Sequence, residues 1–205
     1  CAKVEVTYPE AVAGEPAVMR AVNDSILYYI KMSLALGEGF PESIQEGLDG
    51  FIQSYETFIA EDSVFITPWE IQTNAKVIYQ SAKYISIEIS NYSYTGGAHP
   101  NGYLNLLTFD GGTGRKLQLT DLVSDTTRLK ELAEVKFREA RELAQSANLN
   151  EEGFFWDGPF AFPANIAATN EGLYFVYNPY EAAAYAAGPT EFTITYEELK
   201  GILKE

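Results

Sequence analysis

At 205 residues, with 46% hydrophobic and 21% charged side chains, the chain is long enough to bury a core and too apolar to be disordered. Its 29 acidic and 14 basic residues give a formal charge of −15, which repels nucleic acid phosphates and anionic headgroups and suits a cationic protein or a neutral glycan better. No apolar run approaches the ~20 residues that cross a bilayer.

The single cysteine is residue 1, so no internal disulfide forms. A cysteine at the head of a chain without its signal peptide is what a processed bacterial lipoprotein shows. Cys1 is therefore the candidate lipid attachment point and the one expected route to a membrane. The alternative is a sequence boundary that happens to fall on cysteine. Val4, Val6 and Tyr8 alternate with polar neighbours and predict a first strand ending at Pro9, with no flexible tether before it. Pro16 suits the first turn of a helix, along which Val18, Val22, Ile26, Ile30 and Leu34 recur at i+4. Gly37-Glu38-Gly39 breaks it and Pro41 opens a second helix, with Leu48, Phe51, Ile52, Tyr55 and Ile59 on one face, so the two read as an antiparallel hairpin.

The period then changes to two. Trp69, Ile71, Val77 and Tyr79 mark one strand. In the next, Ile85, Ile87 and Ile89 share a face expected to pack on the helices. The opposite face carries Tyr84, Ser86, Tyr92 and Tyr94 and is either a solvated sheet back or a binding surface. Gly96-Gly97-Ala98-His99-Pro100-Asn101-Gly102 is a turn: glycine accepts positive φ, proline forces His99 extended, and Asn-Gly favours a hairpin. A strand over 103–110 and a tight turn at 110–114 follow. Asp125 or Thr126 caps a third helix with Leu129, Ala133, Phe137 and Ala140 inward. Residues 148–163 form an aromatic loop with Phe154, Phe155, Trp156, Phe160 and Phe162. Strands around 173–177 and 191–194 precede a short helix from about Tyr196.

No nucleotide-binding loop, nucleophile elbow or zinc-protease motif occurs. One histidine makes a zinc site improbable, and no metal or cofactor is expected. His99 in its turn fits a backbone hydrogen-bonding role better than a general base. Asp157, within Phe155-Trp156-Asp157-Gly158, is the tempting glycosidase-like acid, because aromatic rings can stack sugars and raise a carboxyl pKa.

The motifs Thr95-Gly96-Gly97-Ala98-His99-Pro100-Asn101, Thr113-Gly114-Arg115-Lys116-Leu117, Gly172-Leu173-Tyr174-Phe175, Asn178-Pro179-Tyr180-Glu181, Tyr185-Ala186-Ala187-Gly188-Pro189 and Phe192-Thr193-Ile194-Thr195-Tyr196 form a specific series. It resembles the paired extracytoplasmic domains of unknown function in RsiV-type anti-sigma factors, which sense lysozyme, and in PdaC-type peptidoglycan deacetylases. Thr195 stands where those proteins lead one to expect proline. The resemblance implies an α+β fold, an antiparallel sheet packed with an N-terminal helical hairpin and a further long helix, and an extracytoplasmic location.

The expectation is one compact unit over 1–205, with subregions 1–95 and 96–205 joined by a continuous sheet. Its function is expected to be non-enzymatic binding of a lysozyme-like cationic protein or a cell-wall glycan. The alternatives are a polysaccharide-acting enzyme using Asp157 or a neighbouring acid, and a structural envelope protein. Exposed members of Tyr84, Tyr92, Tyr94, Phe155 and Trp156 are the candidate contacts. Gly96, Gly97, His99, Pro100, Asn178, Pro179, Tyr180 and Tyr185 are expected to build a structural corner, with the tyrosine rings buried.

Overall fold

The computed structural model describes residues 1–36, 39–61 and 67–204. Gly37 and Glu38 of the expected helix-breaking turn lie outside the described residues. The chain divides into two compact units, residues 1–76 with 88–105 and residues 77–87 with 106–205. Helices and strands occupy separate stretches of the sequence, so the fold is α+β, as expected.

The first unit begins with β1 (Ala2–Thr7), α1 (Pro16–Leu34) and α2 (Ile44–Glu61). Proline occupies the first turn of α1, where its missing N–H costs nothing, and the i+4 stripe Val22, Ile26, Ile30 and Leu34 is buried. The start of α2 has a signal that the proline obscures. Ser43 Oγ accepts from the Glu46 N–H, and the Glu46 carboxylate reaches back to the Glu42 N–H at 2.7 Å, so a Ser-x-x-Glu box closes the first turn. Gly47 lets α2 approach α1: a Cβ there would stand 2.8 Å from the Leu34 Cβ.

Strands β2 (Trp69–Gln80), β3 (Tyr84–Tyr94) and β4 (Asn101–Asp110) follow, in the sheet order β1-β2-β3-β4. β1 runs parallel to β2, with Val4 opposite Ile71, because two helices intervene and return the chain to the same edge. The sheet is thus mixed rather than wholly antiparallel. Beneath α1, Ser33 Oγ meets Thr73 Oγ1 at 2.8 Å, and the Asn91 amide donates to the same Thr73 oxygen at 2.9 Å. All three residues are buried, so this chain of hydrogen bonds fixes helix and strands in one register.

The second unit adds α3 (Leu119–Leu122), α4 (Thr126–Ala140), β5 (Asn165–Ala168), β6 (Gly172–Tyr177) and β7 (Thr190–Thr195). Asp125 caps α4 by accepting from the Arg128 N–H at 2.9 Å. β5, β6 and β7 form an antiparallel three-stranded sheet of their own, separate from the four-stranded sheet in which β3 and β4 pair on either side of the 96–102 turn. β5 was not foreseen: Asn165-Ile166-Ala167-Ala168 is short and buries both alanines, so it shows no alternation. Where β4 meets β5, side chains replace a ladder. Asn165 Oδ1 accepts from the Leu106 N–H at 2.9 Å, and Thr108 Oγ1 accepts from the Ala168 N–H at 3.1 Å. After β7 the chain makes successive turns instead of the expected helix, anchored by buried Leu199 and Ile202.

Phe137 of α4 is fully buried at the centre of this unit's core. The rings of Phe154, Phe155, Phe160 and Tyr177 surround it, with centroids 5.0–5.8 Å away. Tyr177 donates its hydroxyl to the Ala161 carbonyl at 2.7 Å, and burial pushes its pKa up.

Candidate functional site

The long loop between α4 and β5 holds five aromatic residues, and its backbone decides which of them meet solvent. Phe155 and Trp156 both adopt the left-handed conformation, at φ 58° and 47°. That region is unusual for a bulky side chain and persists only where surrounding contacts impose it. Here the Phe155 ring is locked in the core, the Gly158 N–H donates to the Phe155 carbonyl, and the Asn150 amide donates to the carbonyls of Phe154 and Gly158. With its neighbour so fixed, Trp156 is turned outward and stays 55% exposed, beside exposed Asp157.

A second loop presents a second ring. Asn178-Pro179-Tyr180-Glu181 closes with the Glu181 N–H donating to the Asn178 carbonyl at 3.0 Å. Proline at the second position and φ 69° at Tyr180 give the pattern of a type II turn, whose third position ordinarily takes glycine. Tyr180 is 55% exposed and lies 5.6 Å from the half-buried Tyr185 ring, so the expectation that both rings are buried is corrected. Glu181 holds the turn with both carboxylate oxygens, one accepting from the Asn178 N–H and the other from the Ala164 N–H.

One backbone bond staples the loops: the Phe155 N–H donates to the Ala182 carbonyl at 2.7 Å. Arg141 fastens the far side, donating to the carbonyls of Ala187, Gly188 and Pro189 and to Thr190 Oγ1, with its guanidinium over the Phe154 ring. Burial lowers the pKa of this arginine. The result is a pair of exposed aromatic side chains on backbone held by side-chain and main-chain bonds, ready to meet a partner without reordering.

The other sequence candidates fall elsewhere. Tyr84 packs against the core of the second unit and carries Lys83 over its ring, and Phe155 is core, so neither is free to dock a partner. Tyr92 is 39% exposed and Tyr94 half-buried in the first unit. Gly96, at φ 86°, Gly97 and His99 lie in the exposed β3–β4 turn of the first unit, whereas Asn178 to Tyr185 belong to the second. His99 Nδ1 stands 2.9 Å from the Pro100 carbonyl, the backbone bond expected of it. The exposed Cys1 donates its amino group to the Tyr55 hydroxyl at 2.6 Å. Among the described residues no three His, Cys, Asp or Glu side chains gather to hold a metal ion, and no helix is long and apolar enough to cross a membrane.

What sequence reasoning missed at Tyr180 is the exposure of its ring. The Asn-Pro pair marks a turn, but a tyrosine at its third position carries no sign of the positive φ that sets its ring outward.

Comparison with known proteins agrees with this architecture. Residues 1–102 match the family model described as deacetylase PdaC, and residues 120–197 match the one described as protein of unknown function (DUF3298). A DUF3298 family member from Bacteroides fragilis superposes with a TM-score of 0.75 at 21% identity, covering 95% of this chain and 81% of that one. A DUF3298 family protein from Pseudomonas aeruginosa does so with a TM-score of 0.65 at 22% identity, covering 92% and 81%. These identities show a shared fold. No curated protein matches the chain. The sequence motifs and the structure thus meet in one conclusion: the chain resembles the PdaC-type and DUF3298 domains, carried in that order along a single polypeptide.

Proposed function

We propose that this chain is a binding module of the bacterial cell envelope that captures a cationic, lysozyme-like protein outside the cytoplasm, without catalysing a reaction. The observation that carries this reading is the stapled loop pair presenting Trp156 and Tyr180, two residue types that dominate binding energy at interfaces, in a backbone conformation they do not choose alone. The formal charge of −15 supports a cationic partner, since opposite charge speeds encounter while the aromatic centre supplies specificity. Resemblance to domains that accompany envelope enzymes and sensors supports the location. A glycosidase-like acid needs an apolar wall to hold its proton, and Asp157 sits on an exposed tip, which favours binding over hydrolysis.

Biosensor titration against lysozyme tests the reading. Binding held by charge alone fades as added salt shortens the Debye length from about 30 to 8 Å, whereas a packed aromatic centre retains affinity. Saturable binding at physiological salt is the expected result, with Trp156→Ala costing about 2 kcal/mol or more, mainly through faster dissociation. Absence of saturable binding at that salt overturns the lysozyme assignment. Binding to cell-wall glycan in its place would move the module to a saccharide partner.

A further inference from the structure

We infer that the Trp156–Asp157 tip takes an arginine side chain of the partner, the guanidinium lying over the indole and forking to the carboxylate. The inference rests on the loop pair being the binding surface and names what that surface selects.

Three observations converge on it. Trp156 presents its ring on a backbone that cannot easily turn it back, because Phe155 is held in the core immediately before it. Asp157 is exposed beside it, and none of the ion pairs among the described residues uses Asp157. Finally, the sequence has no lysine or arginine from residue 142 to residue 199, a stretch that contains both loops and nine acidic residues. The two arginines just before it are committed, Arg141 to the 187–190 segment and Arg138 to Glu134 and the carbonyls of Ala144 and Ala147. Among the described residues no lysine or arginine lies over the Trp156 ring, and none pairs with Asp157. An indole is the aromatic face that attracts a cation most strongly, and a carboxylate next to it adds a charge-assisted hydrogen bond. Guanidinium satisfies both at once, being planar, weakly hydrated and bidentate, whereas an ammonium satisfies only the charge. Tyr180 lies two residues from the Phe155–Ala182 staple, and the arginine contact needs only Trp156 and Asp157.

Fluorescence provides the test, since Trp156 is exposed while Trp69, the other tryptophan, lies within 6 Å of the ring centres of Phe51, Tyr55 and Phe58. The full chain is titrated with tetra-arginine amide, tetra-lysine amide and chitotetraose at physiological salt. A saturable emission change is expected with the arginine peptide, at least fivefold weaker with lysine and absent with the sugar. Asp157→Asn should weaken the arginine response several-fold and Trp156→Leu should abolish it, with both variants retaining the far-ultraviolet dichroism of the parent. Equal responses to lysine and arginine, a response to chitotetraose, or indifference to Asp157→Asn overturns the assignment. Lysozyme with its arginines blocked by a dicarbonyl reagent separates this failure from failure of the functional reading. If blocked and native lysozyme bind alike, the arginine contact is wrong and the module still binds lysozyme. If neither binds while the peptide titration succeeds, the contact stands and the lysozyme partner is wrong.

Discussion

Tyr180 occupies a place in its turn where glycine would be unstrained, and that makes its side chain testable apart from the fold. An L-residue in the left-handed region costs roughly 1–2 kcal/mol, and the ring pair with Tyr185 returns about 0.5–1.5 kcal/mol. Tyr180→Gly removes both terms and should leave stability within about 1 kcal/mol of the parent, while Tyr180→Ala keeps the strain, loses the contact and should be the less stable of the two. Urea unfolding of the pair decides this, and the reverse order would show that Tyr180 is held by packing. Gly172 is the opposite case. A Cβ there would come 2.0 Å from the Ile194 carbonyl oxygen and 2.8 Å from the Thr195 Cα, all of it backbone paired in the β6–β7 ladder. Gly172→Ala should therefore destabilise by about 3 kcal/mol or more, measured as a lower denaturant midpoint with unchanged slope.

Among the elements, the end of β7 is tied to α4 by charge. Glu198 accepts from the Lys136 ammonium at 2.7 Å and from the N–H and hydroxyl of Thr195, and these bonds hold its carboxyl at a pKa of about 2, down from 4.5. A depressed carboxyl stabilises the fold fully above its unfolded pKa and stops doing so as pH falls through the folded one. The parent should thus lose part of its stability between about pH 4.5 and 2, and Glu198→Gln should flatten that part of the curve in thermal melts taken across this range. The same Thr195-x-x-Glu198 pattern reads as a helix start in the sequence, yet the chain turns away after one turn to bury Leu199 and Ile202. Local capping chemistry was legible there and its tertiary use was not. α1 was legible in full because a single face is buried and the i+4 stripe records it. β5 was not, because burial on both sides erases alternation. In the candidate site, Phe155 and Trp156 are adjacent and alike in composition. Only the backbone reversal between them separates core from surface, and no periodicity encodes it.

For the molecule as a whole, the division of the chain into units does not follow a single point along the sequence. Residues 77–87 belong with 106–205, so β2, β3 and β4 each contribute to both units. The 96–102 turn, which the sequence offers as the junction of two halves, is therefore a poor place to cut. Fragments 1–95 and 96–205 each lose strand residues that the corresponding unit requires, and neither should give a cooperative thermal transition alone. Calorimetry of the separate fragments, and of the two mixed, checks this; a sharp transition in either fragment would mean that half carries its own complete core.

The polar stitching between β4 and β5 bears on how such a chain survives at high concentration. A strand border with idle amide hydrogens is a template on which another molecule can grow, and the usual remedies are charge, proline or a covering helix. Here Asn165 occupies the Leu106 amide and Thr108 occupies that of Ala168, so each border is blunted by a side chain from the other. At this border the two sheets are kept from recruiting foreign strands without being fused, and self-assembly into fibrous aggregates is denied one of its starting points.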